Sequence, residues 1–460
     1  MEKQNSKENE LGTENVGKLL FRLSMPAIAA QVINVLYNMV DRMYIGHISG
    51  VGAVALTGVG VTMPVIMAIT AFAFFISMGG APRSSIMMGK NEKDKAQKIL
   101  GNCTTMLLII SIALTVIIQL FGRPILMMFG ASENTIGYAW DYMRIYSLGT
   151  ICVELAMGLN AFITAQGFAK TSMLTVLIGA ICNIILDPIF IFGLGMGVKG
   201  AALATILSQG ISSIWVVRFL TSEKSMLRIT LPGMKLDPKV ILPCLLLGTS
   251  PFIMAFTESI LSVCFNSSLL NYGGDIAVGA MTILSSVMQF SMLPLQGLTQ
   301  GSQPIISFNY GAGNASRVKD TFKILFIISV IFSTVVWIVS MFVPQAFIAI
   351  FTSDPKLTEY TRWAIRIYMA ASLMFGAQVA CQQTFIALGE AKSSVFLALL
   401  RKVFLLIPLI FILPNFVENK AMGVYLAEPI ADFCAVCVTV TMFVISFKKI
   451  ITKMERAQEA

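Results

Sequence analysis

The sequence is poor in charge and in histidine, and its cysteines follow no ordered pattern. Only 12% of its 460 residues are Asp, Glu, Lys or Arg, while 56% are hydrophobic, and the mean hydropathy is +0.79. That composition excludes a soluble domain. His47 is the only histidine. With no second one beside it, a zinc site or a histidine-based catalytic centre lacks its parts. The eight cysteines form no disulfide framework, and the Cys434-x-x-Cys437 pair falls in an apolar helix, the wrong context for redox or zinc chemistry. No nucleophile–base or metal constellation appears, which sets a membrane-embedded enzyme aside. Residues 1–18 lack a small-residue cleavage site after a short apolar core, so they read as a solvated cytoplasmic tail rather than a signal. Gly311-Ala312-Gly313-Asn314 lacks the Lys-Ser/Thr of a phosphate loop and reads as a turn.

What is present is a succession of apolar segments, each of about 18 to 25 residues, long enough to cross a bilayer. The expectation is an all-α integral membrane protein with about twelve transmembrane helices. The formal net charge of +9 does not point to nucleic acid. Its lysines and arginines sit in short connections at every second crossing (Arg83, Lys90, Lys93, Lys95 and Lys98 after helix 2; Arg317, Lys319 and Lys323 after helix 8), the positive-inside pattern. The chain then divides into a cytoplasmic tail (1–18), a six-helix lobe (19–222), a cytoplasmic linker (223–239), a second six-helix lobe (240–447) and a basic cytoplasmic tail (448–460). Stretch 82–98 is read as the loop after helix 2. A multi-pass protein of the plasma membrane follows, with both termini inside and lipid as its one evident partner; a monomer is assumed.

The two lobes repeat. Gly79-Gly80-Ala81-Pro82 and Gly89 match Gly301-Ser302-Gln303-Pro304 and Gly311, Arg144-Ile145-Tyr146 matches Arg366-Ile367-Tyr368, and Lys170 matches Lys392, at a separation of about 222 residues. Six spans per repeat place both lobes the same way up, a parallel repeat about an axis along the membrane normal with a central cavity between the halves. Alternating access needs such a cleft.

Polar residues inside the spans point to function. Asn183 and Asp187 are four apart in the run 178–205 and therefore share a helix face. An ionised carboxylate in hydrocarbon costs about 2.5–3.5 kcal/mol even on the lenient scale. Pro188 frees the carbonyl of Ile184 beside them; alternatively, Asp187-Pro188 is a helix start, with Asp as cap. On helix 1, Asn34, Asn38 and Asp41 form one polar stripe with Tyr37 beside it, and Pro26 and Gln31 precede them; the alternative for Asp41 is an interfacial pair with Arg42. Helix 7 carries Pro251, Glu258 and Asn266. Asp187-Pro188 falls opposite Leu409-Ile410, so the first lobe is expected to hold a pair of carboxylates that the second has lost. Two carboxylates facing one cavity cannot both ionise cheaply without a cation.

In this order and spacing the chain resembles the MATE (multidrug and toxic compound extrusion) family. The likeness runs over about 15–450 and rests on Pro26, Gln31, Tyr37 and Asp41, on Gly79-Gly80-Ala81-Pro82 with Gly89, on Asn183-Ile-Ile-Leu-Asp187-Pro188 followed by Gly200-Ala201-Ala202, and on Asn266 with Ala277-Val278-Gly279-Ala280. The Asn183–Pro188 run is similar to the MepA-like branch. The resemblance implies an antiporter that exports cationic lipophilic drugs and dyes while protons or sodium ions enter, with no other cofactor. It places the coupling ion on Asp41, Asn183, Asp187 and Thr205, the same four that would ligate sodium, and a cavity acid on Glu258. Substrate would meet Gln31, Asn34, Tyr37, Asn38, Glu258 and Asn266, with kinks at Pro26, Pro188 and Pro251. One charge crossing 100 mV yields about 2.3 kcal/mol and a tenfold gradient about 1.4 kcal/mol, enough for drug gradients of roughly tens- to hundreds-fold. The runner-up is an exporter of a lipid-linked or other amphiphilic substrate in the same superfamily, which would need basic groups in the cavity; Arg144, Arg366, Arg401 and Lys402 keep it open.

Overall fold

The structure, a computed structural model, describes residues 10–351 and 354–459. Residues 1–9 of the expected tail and Ala460 lie outside the described residues. Lipid offers no hydrogen bonds, so a spanning backbone must satisfy its own polar groups, and every described span is a helix. In chain order these are α1 (Val16–Gly46), α2 (Gly52–Gly89), α3 (Lys93–Met128), α4 (Ile136–Leu148), α5 (Thr150–Ala165), α6 (Ala169–Pro188), α7 (Val198–Thr221), α8 (Pro238–Gly311), α9 (Ala315–Phe342), α10 (Pro344–Phe351), α11 (Pro355–Tyr368), α12 (Phe375–Ala387), α13 (Ala391–Leu399), α14 (Ile407–Ile412) and α15 (Lys420–Glu459). Helix starts are set by sequence: Asn15 accepts from the Lys18 amide (3.2 Å), and Asp237 accepts from that of Lys239 (2.9 Å), with Pro238 in the first turn of α8.

Among the described residues, nine helices are long and apolar enough to cross a membrane. Two bent pairs, α4 with α5 (59°) and α11 with α12 (46°), raise that to eleven. The 74-residue α8 would be about 110 Å long if straight, several times the apolar thickness of a bilayer; it breaks at Gly274 (φ 66°, ψ −164°), which makes two spans of it. The expected twelve crossings result. Stretch 82–98 is not a loop. Helix α2 runs through Pro82 to Gly89 and α3 starts at Lys93, leaving a turn that Asn91 closes at φ 60°. Residues 448–459 continue α15 as helix.

Hydrophobic packing shows how the lobes meet. One buried cluster joins both of them, with Leu19, Leu23, Phe162 and Leu220 of the first against Ile305, Phe308, Leu325 and Ile451 of the second. Two further clusters each stay within one lobe, the first with Ile45, Val59, Tyr142 and Ile191, the second with Leu261, Phe265, Leu284 and Tyr425. The lobes are therefore fused at the end that carries both termini. At the fused end the helices approach backbone to backbone. A Cβ on Gly89 would lie 2.0 Å from the Phe308 carbonyl oxygen, and one on Gly311 2.0 Å from that of Ile86. The internal repeat is visible in bonds as well: Ser85 donates to the Ala165 carbonyl (3.0 Å) as Ser307 does to that of Ala387 (2.7 Å).

The tail is not wholly solvated. Leu11 is 2% exposed. Its carbonyl accepts from Asn309 (2.9 Å) and Arg317 (3.0 Å) of the second lobe, and its side chain lies against Gly167 of the first. Glu10 and Glu14 pair with Arg22 at 2.9 and 2.6 Å.

Candidate cation site

Helix α6 carries Asn183 and Asp187 one turn apart, α1 packs along it and brings Asp41, and α7 brings Thr205. Asp187, Asn183 and Asp41 are 0%, 2% and 7% exposed. The Asn183 amide nitrogen donates to Asp187 Oδ1 (3.3 Å) and to Thr205 Oγ1 (3.5 Å), while the Thr205 hydroxyl donates to the Ala201 carbonyl (3.0 Å). The carboxyl groups of Asp41 and Asp187 are near neighbours. Asp41 Oδ1, Asn183 Oδ1 and Asp187 Oδ2 are buried with no protein partner. Unpaired buried oxygens of this kind are expensive. A proton shared between the carboxyl groups, or a small cation drawn to their oxygens, removes that cost.

The structure decides between several local alternatives. Pro188 lies inside a helix that continues as a π-turn over Ile189–Gly193, so Asp187 is not a helix cap. Asp41 makes no ion pair with Arg42, whose guanidinium reaches Met63 Sδ at 3.3 Å. Thr205 bonds its own backbone and accepts from Asn183 too. Tyr37, Tyr142 and Gln209 lie near this group. Gln209 and Tyr142 were invisible as site residues in the sequence: one more amide and one more aromatic in apolar helices. Asn38 is exposed and donates to the Asn34 carbonyl (2.7 Å) on its own helix, while Gln31 and Asn34 are half-buried on α1. Pro26 is buried inside α1 and Pro251 lies inside α8.

Glu258 and Asn266 stand apart from this group. Asn266 is exposed on α8. Glu258 pairs with Lys402 (2.5 Å) in the second lobe. There the expectation that this lobe had lost its pair of carboxylates is overturned. Glu428 and Asp432 lie buried on α15, paired with Arg401 at 3.4 and 2.6 Å. These carboxylates sit on α15, away from the positions that match Asp187, so matching Asp187 to Leu409-Ile410 could not find them. Glu154 on α5 is also wholly buried, with neither carboxyl oxygen partnered. His47 is exposed, its Nδ1 2.7 Å from the Met43 carbonyl, all eight cysteines are free, and no group of three metal-ligating side chains occurs among the described residues.

The MatE family model matches residues 26–189 and then again 251–412, one match in each lobe. The chain belongs to the MatE family. MatE relatives include the multidrug export protein MepA of Staphylococcus haemolyticus (strain JCSC1435), 26% identical over 431 residues that cover 93% of this chain and 94% of that one. The MATE multidrug transporter DinF-BH, solved in complex with a small molecule, superposes with a TM-score of 0.87 at 34% identity, covering 94% of this chain and 96% of that one. A MATE in the bent conformation gives a TM-score of 0.90 at 22% identity over 97% of this chain and 99% of that one, a likeness of fold. A MatE protein is a multi-pass membrane transporter of the multidrug efflux class and not an enzyme.

Proposed function

We propose that this chain is a secondary active antiporter of the plasma membrane that exports cationic lipophilic compounds in exchange for protons or sodium ions. The observation that carries the reading is the trio of unpartnered oxygens on Asp41, Asn183 and Asp187, buried among the spans of the first lobe. A cation entering this group is stabilised by the two carboxyls, and its departure leaves the group unsatisfied; either event biases α1 and α6, which pack together. Asp41 and Asp187 hold the ion, and Asn183 and Thr205 orient it through neutral oxygens. Both termini are cytoplasmic, as the basic connections suggest, so the fused end closes the cytoplasmic side and the cleft opens outward. The protein works as a monomer, since each chain contains both lobes and the cleft between them.

The rival exporter of a lipid-linked pyrophosphate needs surplus positive charge in the cavity. Arg401 and Lys402 are both held by carboxylates, which favours the cationic substrate.

The test uses purified protein in liposomes with a fluorescent cationic dye, under a pH gradient alone and a sodium gradient alone. Dye should move under one gradient in the wild type and not in Asp187→Asn. Dye transport by Asp187→Asn at the wild-type rate would refute the site. No transport by the wild type under either gradient would favour the lipid-linked rival.

A further inference from the structure

The second-lobe cluster has a geometry of its own. Lys402 Nζ donates to Glu258 Oε1 at 2.5 Å, Arg401 Nε to Asp432 Oδ1 at 2.6 Å and Arg401 Nη2 to Glu428 Oε1 at 3.4 Å. The side chains of Lys402, Glu428, Asp432 and Arg401 are 6%, 5%, 2% and 13% exposed, whereas that of Glu258 is 60% exposed. Three carboxylates thus face two cations. Asp432 Oδ2 is buried with no partner at all.

The cluster also has an address. Gly200 lies where a Cβ would meet the Phe190 carbonyl at 2.7 Å, and Gly423 where one would meet Pro414 at 2.8 Å, so the two glycines mark the same packing point in the two lobes. Counting on from each, Leu203-Ala204-Thr205 falls on Leu426-Ala427-Glu428, and Gln209 falls on Asp432. Glu428 is the second-lobe counterpart of Thr205. The cluster is therefore a version of the first-lobe site with more carboxylate and with cations supplied by the chain.

We propose that Lys402, backed by Arg401, is a tethered cation that fills the second-lobe counterpart of the cation site and confines the exchangeable ion to the first lobe. The inference rests on the reading of Asp41 and Asp187 as the coupling site. An ammonium carries the same charge as a sodium ion but is covalently held; its effective concentration beside Glu258 is of millimolar order or higher, and no gradient removes it. Arg401, charged at every accessible pH and forked to reach two acids, holds Asp432 and Glu428 in the same way. Neutralising Lys402 leaves three carboxylates with one guanidinium, a set of hard oxygen ligands suited to a small cation, and the exposed Glu258 gives that cation a way in. Lys402 is on this account a specificity-determining residue that touches neither substrate nor coupling ion.

The experiment measures binding of radioactive sodium to the full-length protein in nanodiscs, with the first-lobe site disabled by Asp187→Asn. That variant should bind no sodium. Adding Lys402→Met should create saturable sodium binding where Asp187→Asn alone shows none, and a further Glu258→Gln should remove it. A correctly folded Asp187→Asn/Lys402→Met protein that binds no sodium overturns the proposal. So does sodium binding by Asp187→Asn alone that Glu258→Gln abolishes, a measurement that stands even if Lys402→Met does not fold. Failure of the coupling-site reading would show separately, as dye transport that survives Asp187→Asn.

Discussion

Leu11 offers a direct test of how the fused end is held. Its side chain is 2% exposed and belongs to the cluster shared by both lobes, touching the first at Gly167, while its carbonyl accepts two bonds from the second. Leu11→Ala keeps the backbone bonds and removes three carbons. At about 0.8 kcal/mol per buried methylene that is about 2.4 kcal/mol; because the segment is terminal and can settle into the gap, we expect about 2–3 kcal/mol, the low end for such truncations. The loss falls only on the conformation in which both lobes grip Leu11. The balance between this conformation and one parted at the same end should shift about 30- to 160-fold. The buried Ile86 side chain lies against Gly389 of the second lobe, so an Ile86→Cys probe, in a background with the native cysteines replaced, reports opening through its rate of maleimide modification. The rate should rise by about tenfold or more in Leu11→Ala. An unchanged rate together with a lowered melting temperature would show that Leu11 stabilises one lobe's fold and not the junction, and would refute the reasoning.

Three further outcomes are expected. Gly89→Ala and Gly311→Ala each press a methyl against a carbonyl oxygen at 2.0 Å and should each cost about 1–3 kcal/mol of thermal stability, whereas Gly60→Ala, with nothing within 4 Å, should be neutral or stabilise by about 0.5–1 kcal/mol; equal melting of all three would contradict the junction. Arg401→Ala strands two buried carboxylates and should destabilise by about 3–5 kcal/mol, and Arg401→Met with Asp432→Asn and Glu428→Gln should recover most of it, as denaturant titration would show. Thr205→Ala gives up one long bond to Asn183 (3.5 Å) and should slow ion-driven dye export only a few-fold, about 1 kcal/mol or less, whereas Asp41→Asn should abolish it; a Thr205→Ala defect as complete as that of Asp41→Asn would make the hydroxyl an essential ligand.

Asp187 was readable from the sequence because a carboxylate in an apolar run has few structural excuses, and Asn183 followed by helical spacing. Thr205 was not readable in that way; a hydroxyl in a membrane helix bonds its own backbone at little cost, and Thr205 does so while also meeting Asn183. Glu428 and Asp432 carry the same signal as Asp187, an acid pair four apart inside an apolar helix, but they lie on α15, away from the positions that match Asp187 between the lobes. Leu11 left no trace because one leucine in a polar stretch has no periodicity. The bends at Gly149 and between Tyr368 and Ser372 were equally silent, since their residues suit a straight helix as well as a bent one.

The paired approaches of Gly89 to Phe308 and of Gly311 to Ile86 are one contact made twice, related by the axis between the lobes. In an assembly of two identical chains that would be an isologous interface, each surface complementary to itself. This chain carries such an interface internally, as if two subunits had been joined end to end. Joining freed each half to change wherever the other did not depend on it. The acids used that freedom, Thr205 in one half standing where the other has Glu428. The junction glycines did not have it, because any side chain there strikes a backbone that cannot retreat without parting the pair. An isolated first half, ending in the connection after Thr221, should therefore retain a self-complementary face and associate as a dimer.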